Sequence, residues 1–155
     1  MAGLTVVVAA SATLTAVHAR AGGSHEGGTM QVGQTLHFVQ GPGHSTGTFL
    51  MAGAANDSGT VDSTAKVTPI STTKSRIQGQ EVLTGSKGLI RTSFSGVVTS
   101  TGNGPRVYVQ GEFRITSGTG AYVSLRGEGD FYITVDASAG LLIRTDVGRA
   151  SNEEN

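Results

Sequence analysis

Seven charged residues stand inside runs of alternating apolar and polar character: Glu81, Arg91, Glu112, Arg114, Arg126, Glu128 and Arg144. A carboxylate and a guanidinium held in a dry cavity can polarise a carbonyl or a phenol, and a charge placed there is costly unless it is paired or used. From this set Glu112, Arg91, Arg114 and Glu81 are the candidates for catalysis. Tyr108, Tyr132, His37 and Phe94 are the ring side chains available to line a ligand site. A plainer reading carries more weight. Glu112 and Arg114 lie two apart on one face of a strand, where they can form cross-strand ion pairs with Arg91 or Glu128 on the outside of a barrel.

Other chemistries find less support. The histidines are His18, His25, His37 and His44. His37 and His44 can meet across a hairpin, but the third ligand that a zinc site needs is not evident, so no metal is expected. Serine and threonine are so abundant that no single hydroxyl stands out as a nucleophile, and a Ser-His-Asp triad has no fixed chain order to search for. The chain has no cysteine, which excludes a disulfide framework and thiolate metal sites. Eleven basic residues balance 11 acidic ones without a basic run, so neither nucleic acid nor an anionic membrane surface is an expected partner.

The elements that must position these side chains are strands. Within 155 residues there are 24 glycines, many Thr, Ser and Val, and only 14% charged residues, a composition suited to short strands joined by tight turns. Eight alternating segments follow one another: Gln34 to Gln40, Gly47 to Ala54, Gly59 to Pro69, Ser75 to Leu83, Gly88 to Ser100, Arg106 to Ser117, Gly127 to Asp136 and Gly140 to Val147. Turns such as Asn56-Asp57-Ser58-Gly59 and Ala137-Ser138-Ala139-Gly140 supply the residues that hairpin connections require. The expected fold is all-β, an eight-stranded antiparallel up-and-down β-barrel, since closure removes exposed edge strands. In one strand Val107, Val109, Gly111, Phe113 and Ile115 share a face opposite Tyr108, Gln110, Glu112, Arg114 and Thr116. Which of these faces lines the lumen is left open by the pattern.

The N-terminus reads as a targeting segment. Gly3 to Val17 is an uncharged run of small and apolar residues, too short to span a bilayer, with an A-x-A-like cleavage site at Ala19 and Ala21. No Lys or Arg precedes that run, and a buried first element is the alternative. The expected organisation is a signal peptide over 1–21, a Gly-rich linker over 22–33, the barrel over 34–148 and a polar tail over 149–155. It implies a secreted or cell-envelope protein with no membrane-spanning helix, or a cytoplasmic one if the apolar N-terminus is structural.

Gly118-Thr119-Gly120-Ala121-Tyr122-Val123-Ser124-Leu125-Arg126-Gly127 carries a resemblance. It resembles the G-T-G-x-[YF]-x-x-[AL]-x-G signature of the allene oxide cyclase barrel-like and dirigent-like group, most closely its exported actinobacterial members of unassigned function. Gly47-Thr48-Phe49, Ile77 to Gly85 and Ile90 to Phe94 follow in the same order, so the likeness covers roughly Thr46 to Val135. Many of these relatives have Gly where this chain has Ser117. The resemblance implies a largely hydrophobic lumen that binds apolar or aromatic molecules, cyclase, isomerase or coupling-directing activity in some members, no metal or organic cofactor, and a homo-oligomer, dimer or trimer. The motif also has a physical reading of its own. Gly118 and Gly120 permit left-handed backbone on either side of Thr119, Tyr122 plugs the barrel end with its ring, and Leu125 enters the core. A phosphate cradle would need a following helix, and here a strand follows.

Three functions are compatible with these residues: a barrel binding a small apolar or aromatic molecule in its lumen, a cofactor-free cyclase/isomerase or dirigent-like enzyme, or a structural cell-surface protein with a filled barrel. The first is the leading expectation.

Overall fold

Period-two alternation, turn glycines and the absence of long helical patterns produce one closed sheet. A computed structural model describes residues 27–39, 43–102, 104 and 106–153. The segment expected as a signal peptide, with His18 and His25, and most of the expected linker lie outside the described residues. Eight strands run in chain order: β1 (Gly28–Phe38), β2 (His44–Gly53), β3 (Asp57–Pro69), β4 (Lys74–Gly85), β5 (Gly88–Ser100), β6 (Arg106–Gly118), β7 (Leu125–Asp136) and β8 (Leu141–Asn152). Each pairs antiparallel with the next, and β1 pairs with β8, so the barrel is closed and up-and-down. Among the described residues no helix is long and apolar enough to cross a membrane.

Two boundaries differ from the expected organisation. β1 begins at Gly28, inside the stretch read as linker, because Met30, Val32, Gln34 and Leu36 alternate inward while β2 and β8 supply partners on both sides. Gly27, Gly28 and Gly33 mask that alternation in the sequence. Likewise β8 continues to Asn152, through residues read as a tail, because Gly28 pairs with Ala150 and Leu125 with Asn152. Pairing on both edges outweighs the polarity of those segments.

The apolar face turns inward. Val109, Phe113 and Ile115 of β6 and Phe131, Ile133 and Val135 of β7 are buried, whereas Tyr108 and Tyr132 stand on the outer wall. Each fully buried Leu or Phe contributes about 1.5–3 kcal/mol of transfer free energy.

The two ends of the barrel are finished differently. At one end β6 leads into a single 3-10 turn, η1 (Gly120–Tyr122), which carries Tyr122 across the opening. Gly120 has φ +60°, the left-handed backbone expected of it. Gly118 does not; a Cβ there would sit 2.0 Å from the Tyr122 carbonyl oxygen, so this position requires glycine for close approach rather than for its dihedral angles. Tyr122 is buried, and its hydroxyl donates to Asp57 Oδ2 at 2.8 Å. Asp57 also accepts from the backbone N–H groups of Ser58, Ser86 and Lys87 and from the Ser86 hydroxyl at 2.7 Å. One carboxylate thereby ties the β2–β3 turn, the β4–β5 turn and η1 together. Its pKa is held well below the ordinary carboxylate range, by the Ser86 hydroxyl foremost, against some burial, and then by Tyr122 and the backbone donors. Burial, followed by the bond to Asp57, pushes the Tyr122 phenol upward. The opposite end carries the β1–β2, β3–β4, β5–β6 and β7–β8 connections.

Candidate functional site

Halfway down the lumen the inward alternation is broken by polar residues. Gln34 takes an inward place beside Val32 and Leu36 of β1, Glu81 beside Leu83 of β4, Thr92 between Ile90 and Phe94 of β5, and Arg144 and Asp146 beside Leu142 of β8. Arg144 and Glu81 are each only 1% exposed. Arg144 Nη1 donates to Glu81 Oε1 at 2.7 Å and Arg144 Nε to Asp146 Oδ1 at 2.6 Å. Gln34 Nε2 bridges the two acids, donating to Glu81 Oε2 at 3.3 Å and Asp146 Oδ2 at 3.2 Å, and the Thr92 hydroxyl donates to Glu81 Oε2 at 3.4 Å. Two polar atoms, Gln34 Oε1 and Arg144 Nη2, have no partner among the described residues.

Aromatic rings hold the guanidinium in place. The Arg144 Cζ lies 4.7 Å from the Phe94 ring centroid and 4.5 Å from that of Phe131, and the two rings meet edge to face at 5.5 Å. Cation–π contact of this kind is stronger when desolvated. Glycine makes the rings fit: a Cβ on Gly79 would come within 2.4 Å of the Phe94 ring, and one on Gly111 within 2.8 Å of the Phe131 ring. The strand glycines that lowered local β-propensity are therefore what admits the clamp on Arg144.

The cluster is unbalanced. One guanidinium faces two carboxyl groups, so with both acids ionised it carries one net negative charge in a dry interior. Burial pushes Asp146 up to about 6; Arg144 beside it pulls the other way, and the Glu81 carboxylate adds to the rise. For Arg144, burial disfavours the charge, but Glu81 and Asp146 more than offset it and its pKa moves up.

Above this floor lies a cavity of about 350 Å³ that reaches toward the end opposite Tyr122. Its wall is apolar, with Leu36, Phe38, Ile77, Val109, Ile133 and Leu142 among the lining residues, and it ends on Arg144, Glu81 and Phe94. Ser45 and Ser63, register partners on β2 and β3, add two hydroxyl-bearing positions to the wall. His44 stands at the same end, its Nε2 3.0 Å from Asp62 Oδ2, and among the described residues no hydroxyl is hydrogen-bonded to its ring.

The candidate residues from the sequence divide between two places. Glu81 and Phe94 meet in the lumen, at the cavity floor. Arg91, Glu112, Arg114, Tyr108, Tyr132 and His37 are on the outer wall, which excludes them from the lumen site because a strand sends successive side chains to opposite faces. There Arg114 pairs with Glu128 at 3.2 Å, both side chains more than 70% exposed, a contact worth about 0–1 kcal/mol. Glu112 and Tyr132 share a surface trough of about 540 Å³ with Arg76 and Asp130. That trough is wider than the lumen cavity but charged and open, so an apolar molecule would leave less water behind there.

Gln34, Thr92, Phe131 and Asp146 belong to the site although the sequence pattern does not single them out, and Arg144 stands in that pattern only as a mid-strand charge. The signal that finds them is parity: Gln34 is in step with Val32 and Leu36, and Arg144 and Asp146 are in step with Leu142. Comparison of the chain with protein-family models, with curated proteins and with solved structures gave no match, so what the site does is read from its own geometry.

Proposed function

We propose that this barrel binds one small, largely apolar or aromatic molecule in its lumen, admitted through the end opposite Tyr122. The observation that carries the reading is the cavity of about 350 Å³, apolar along its wall and polar only at its floor, a size and lining typical of small-molecule sites. A barrel serving purely as a surface scaffold has no need of such a space, nor of a buried ion cluster beneath it. The Gly118 to Gly127 motif, whose Tyr122 closes one end, supports placing the chain with the allene oxide cyclase barrel-like and dirigent-like group. Export to the cell envelope or beyond, and assembly as a dimer or trimer, belong to the same proposal.

A second reading has a specific observation behind it. Arg144 and Glu81 end the cavity, and Asp146 behind them is pushed up to about 6, a value suited to proton transfer near neutral pH. A cofactor-free cyclase or coupling-directing enzyme would use the same floor to polarise its substrate.

Native mass spectrometry of the full chain with naphthalene, 2-naphthol and alkylphenols tests the binding reading. One bound molecule per barrel is expected, lost in Ala65→Phe, which places a ring in the cavity. Failure of every probe to bind, or binding undiminished in that variant, would overturn it.

A further inference from the structure

The charge count at the cavity floor says which apolar molecules it accepts. Arg144 is the cluster's one cation, and two of its three nitrogens already face Glu81 and Asp146. Nη2 remains, a donor with no partner among the described residues on a side chain 1% exposed. An unmade hydrogen bond in such a place is costly, and a ligand acceptor would recover it. An anionic acceptor would bring a third negative charge against a single positive one, in a medium where charges interact several times more strongly than in water. An uncharged acceptor recovers the hydrogen bond without that repulsion.

We propose that the lumen selects uncharged carbonyl compounds, aryl or alkyl ketones and esters, over the matching carboxylates, with Nη2 of Arg144 donating to the carbonyl oxygen. The inference rests on the lumen-binding reading and adds the class of ligand. Phe94 is the side chain that must give way for this contact. Its ring belongs to the cavity wall and also lies over the guanidinium, whereas Phe131 is fully buried on the cluster and does not line the cavity. The carbonyl reaches Nη2 when Phe94 turns aside.

Selectivity against anions depends on the second carboxyl. The charged and titratable groups facing Asp146 are Arg144 on its own strand and Glu81 on β4; Gln34 on β1 contributes an uncharged amide. Below about pH 6, where Asp146 takes up a proton, the cluster becomes neutral and the penalty on anions falls.

The test compares 2-acetonaphthone, 2-naphthoate and naphthalene-2-sulfonate by calorimetric titration of the full chain at pH 8 and pH 5. At pH 8 the ketone should bind at least roughly tenfold more tightly than either anion, the factor corresponding to about 1.4 kcal/mol. The sulfonate stays ionised throughout, so its own protonation cannot contribute, and its affinity should rise severalfold at pH 5 while that of the ketone stays constant. In Asp146→Asn combined with His44→Gln, which removes the histidine at the cavity mouth, the sulfonate should lose this pH response. In the wild-type protein the infrared carbonyl stretch of bound ketone should move to lower wavenumber, a measurement that needs no variant. Anions binding as tightly as the ketone at pH 8, a sulfonate response that survives when both Asp146 and His44 are replaced, or an unshifted carbonyl stretch would overturn the ligand class and leave lumen binding standing. Binding of none of the three at either pH would overturn both.

Discussion

The barrel contains two polar knots built on aspartate, one half-exposed at the closed end and one buried at mid-lumen, and they do opposite things. At the closed end Asp57 accepts donors from Ser58, Ser86, Lys87 and Tyr122, so its charge is stabilised and its pKa falls. At mid-lumen Asp146 is buried and shares one guanidinium with Glu81, and burial foremost raises its pKa to about 6. The first knot is saturated with donors and seals the end; the second retains an unused donor and sits beneath a cavity. A fully satisfied polar network rigidifies a structure, whereas an unmet donor in a buried one calls for an explanation, which the proposed ligand would supply.

Removing Arg144 should break the mid-lumen knot with the largest loss. Arg144→Met leaves Glu81 and Asp146 buried without a counter-charge, and the expected cost is about 3–5 kcal/mol in urea unfolding. Replacing Arg144, Glu81, Asp146 and the Gln34 that bridges the two acids together by leucine should restore stability to the wild-type level or raise it by about 1–4 kcal/mol. If the single variant unfolds like wild type, the cluster is not held as tightly as its geometry indicates.

The closed end should respond to truncation of its plug. Tyr122→Ala removes a buried ring and the donor to Asp57, and the expected loss lies toward the lower end of about 3–5 kcal/mol, because the vacated end opens to water. Ligand affinity should stay within about twofold, since Tyr122 lies at the end remote from the cavity. A large drop in affinity would mean that the two ends are coupled and that the contrast between them is false.

The same contrast explains what could be read in advance. Strand number, turn chemistry and closure follow from glycine placement and alternation, and the plug at Tyr122 follows from the glycines around it. The catalytic and ligand candidates were harder, because a strand's parity decides everything and a charge in an alternating run looks alike on either face. Glu112 and Arg114 fall on the outward parity and Glu81 on the inward one, separated only by the phase of Phe113 and Leu83 beside them. Asp146 and Arg144 sit in step with Leu142, but the glycine at position 148 interrupts the pattern that would have shown it. The clamp of Phe94 and Phe131 on Arg144 is a long-range contact between β5, β7 and β8, which no local pattern encodes.

Titration offers a further way to separate the knots, with opposite signs. Asp146 has a folded pKa above its unfolded value of 3.8, so its contribution to stability is full below about 3.8 and is lost as pH rises through about 6. Asp57 has a depressed pKa, so its contribution is present above 3.8 and is lost as pH falls below it. From these two groups stability should therefore peak near pH 3.8 and decline on both sides. Asp146→Asn should flatten the decline toward neutral pH and Asp57→Asn the decline toward acid, each read by thermal unfolding across pH. A decline toward neutral pH that persists in Asp146→Asn would place its source elsewhere.

The smallest effect on stability should accompany the largest effect on binding. Ala65 lies on β3 at the open end, half-buried and against the cavity, so a phenylalanine there has space to enter instead of packed atoms to displace. Overpacking a filled core costs about 1–3 kcal/mol. Filling a cavity avoids that cost and adds apolar burial, so Ala65→Phe should unfold within about 1 kcal/mol of wild type while losing ligand altogether. The same residue type placed on the closed side of the core, as Ala150→Phe, meets a position only 2% exposed and should destabilise by the full overpacking cost. Equal destabilisation by the two variants would mean that the open half of the barrel is as tightly filled as the closed half, and the lumen would then have no room for a ligand.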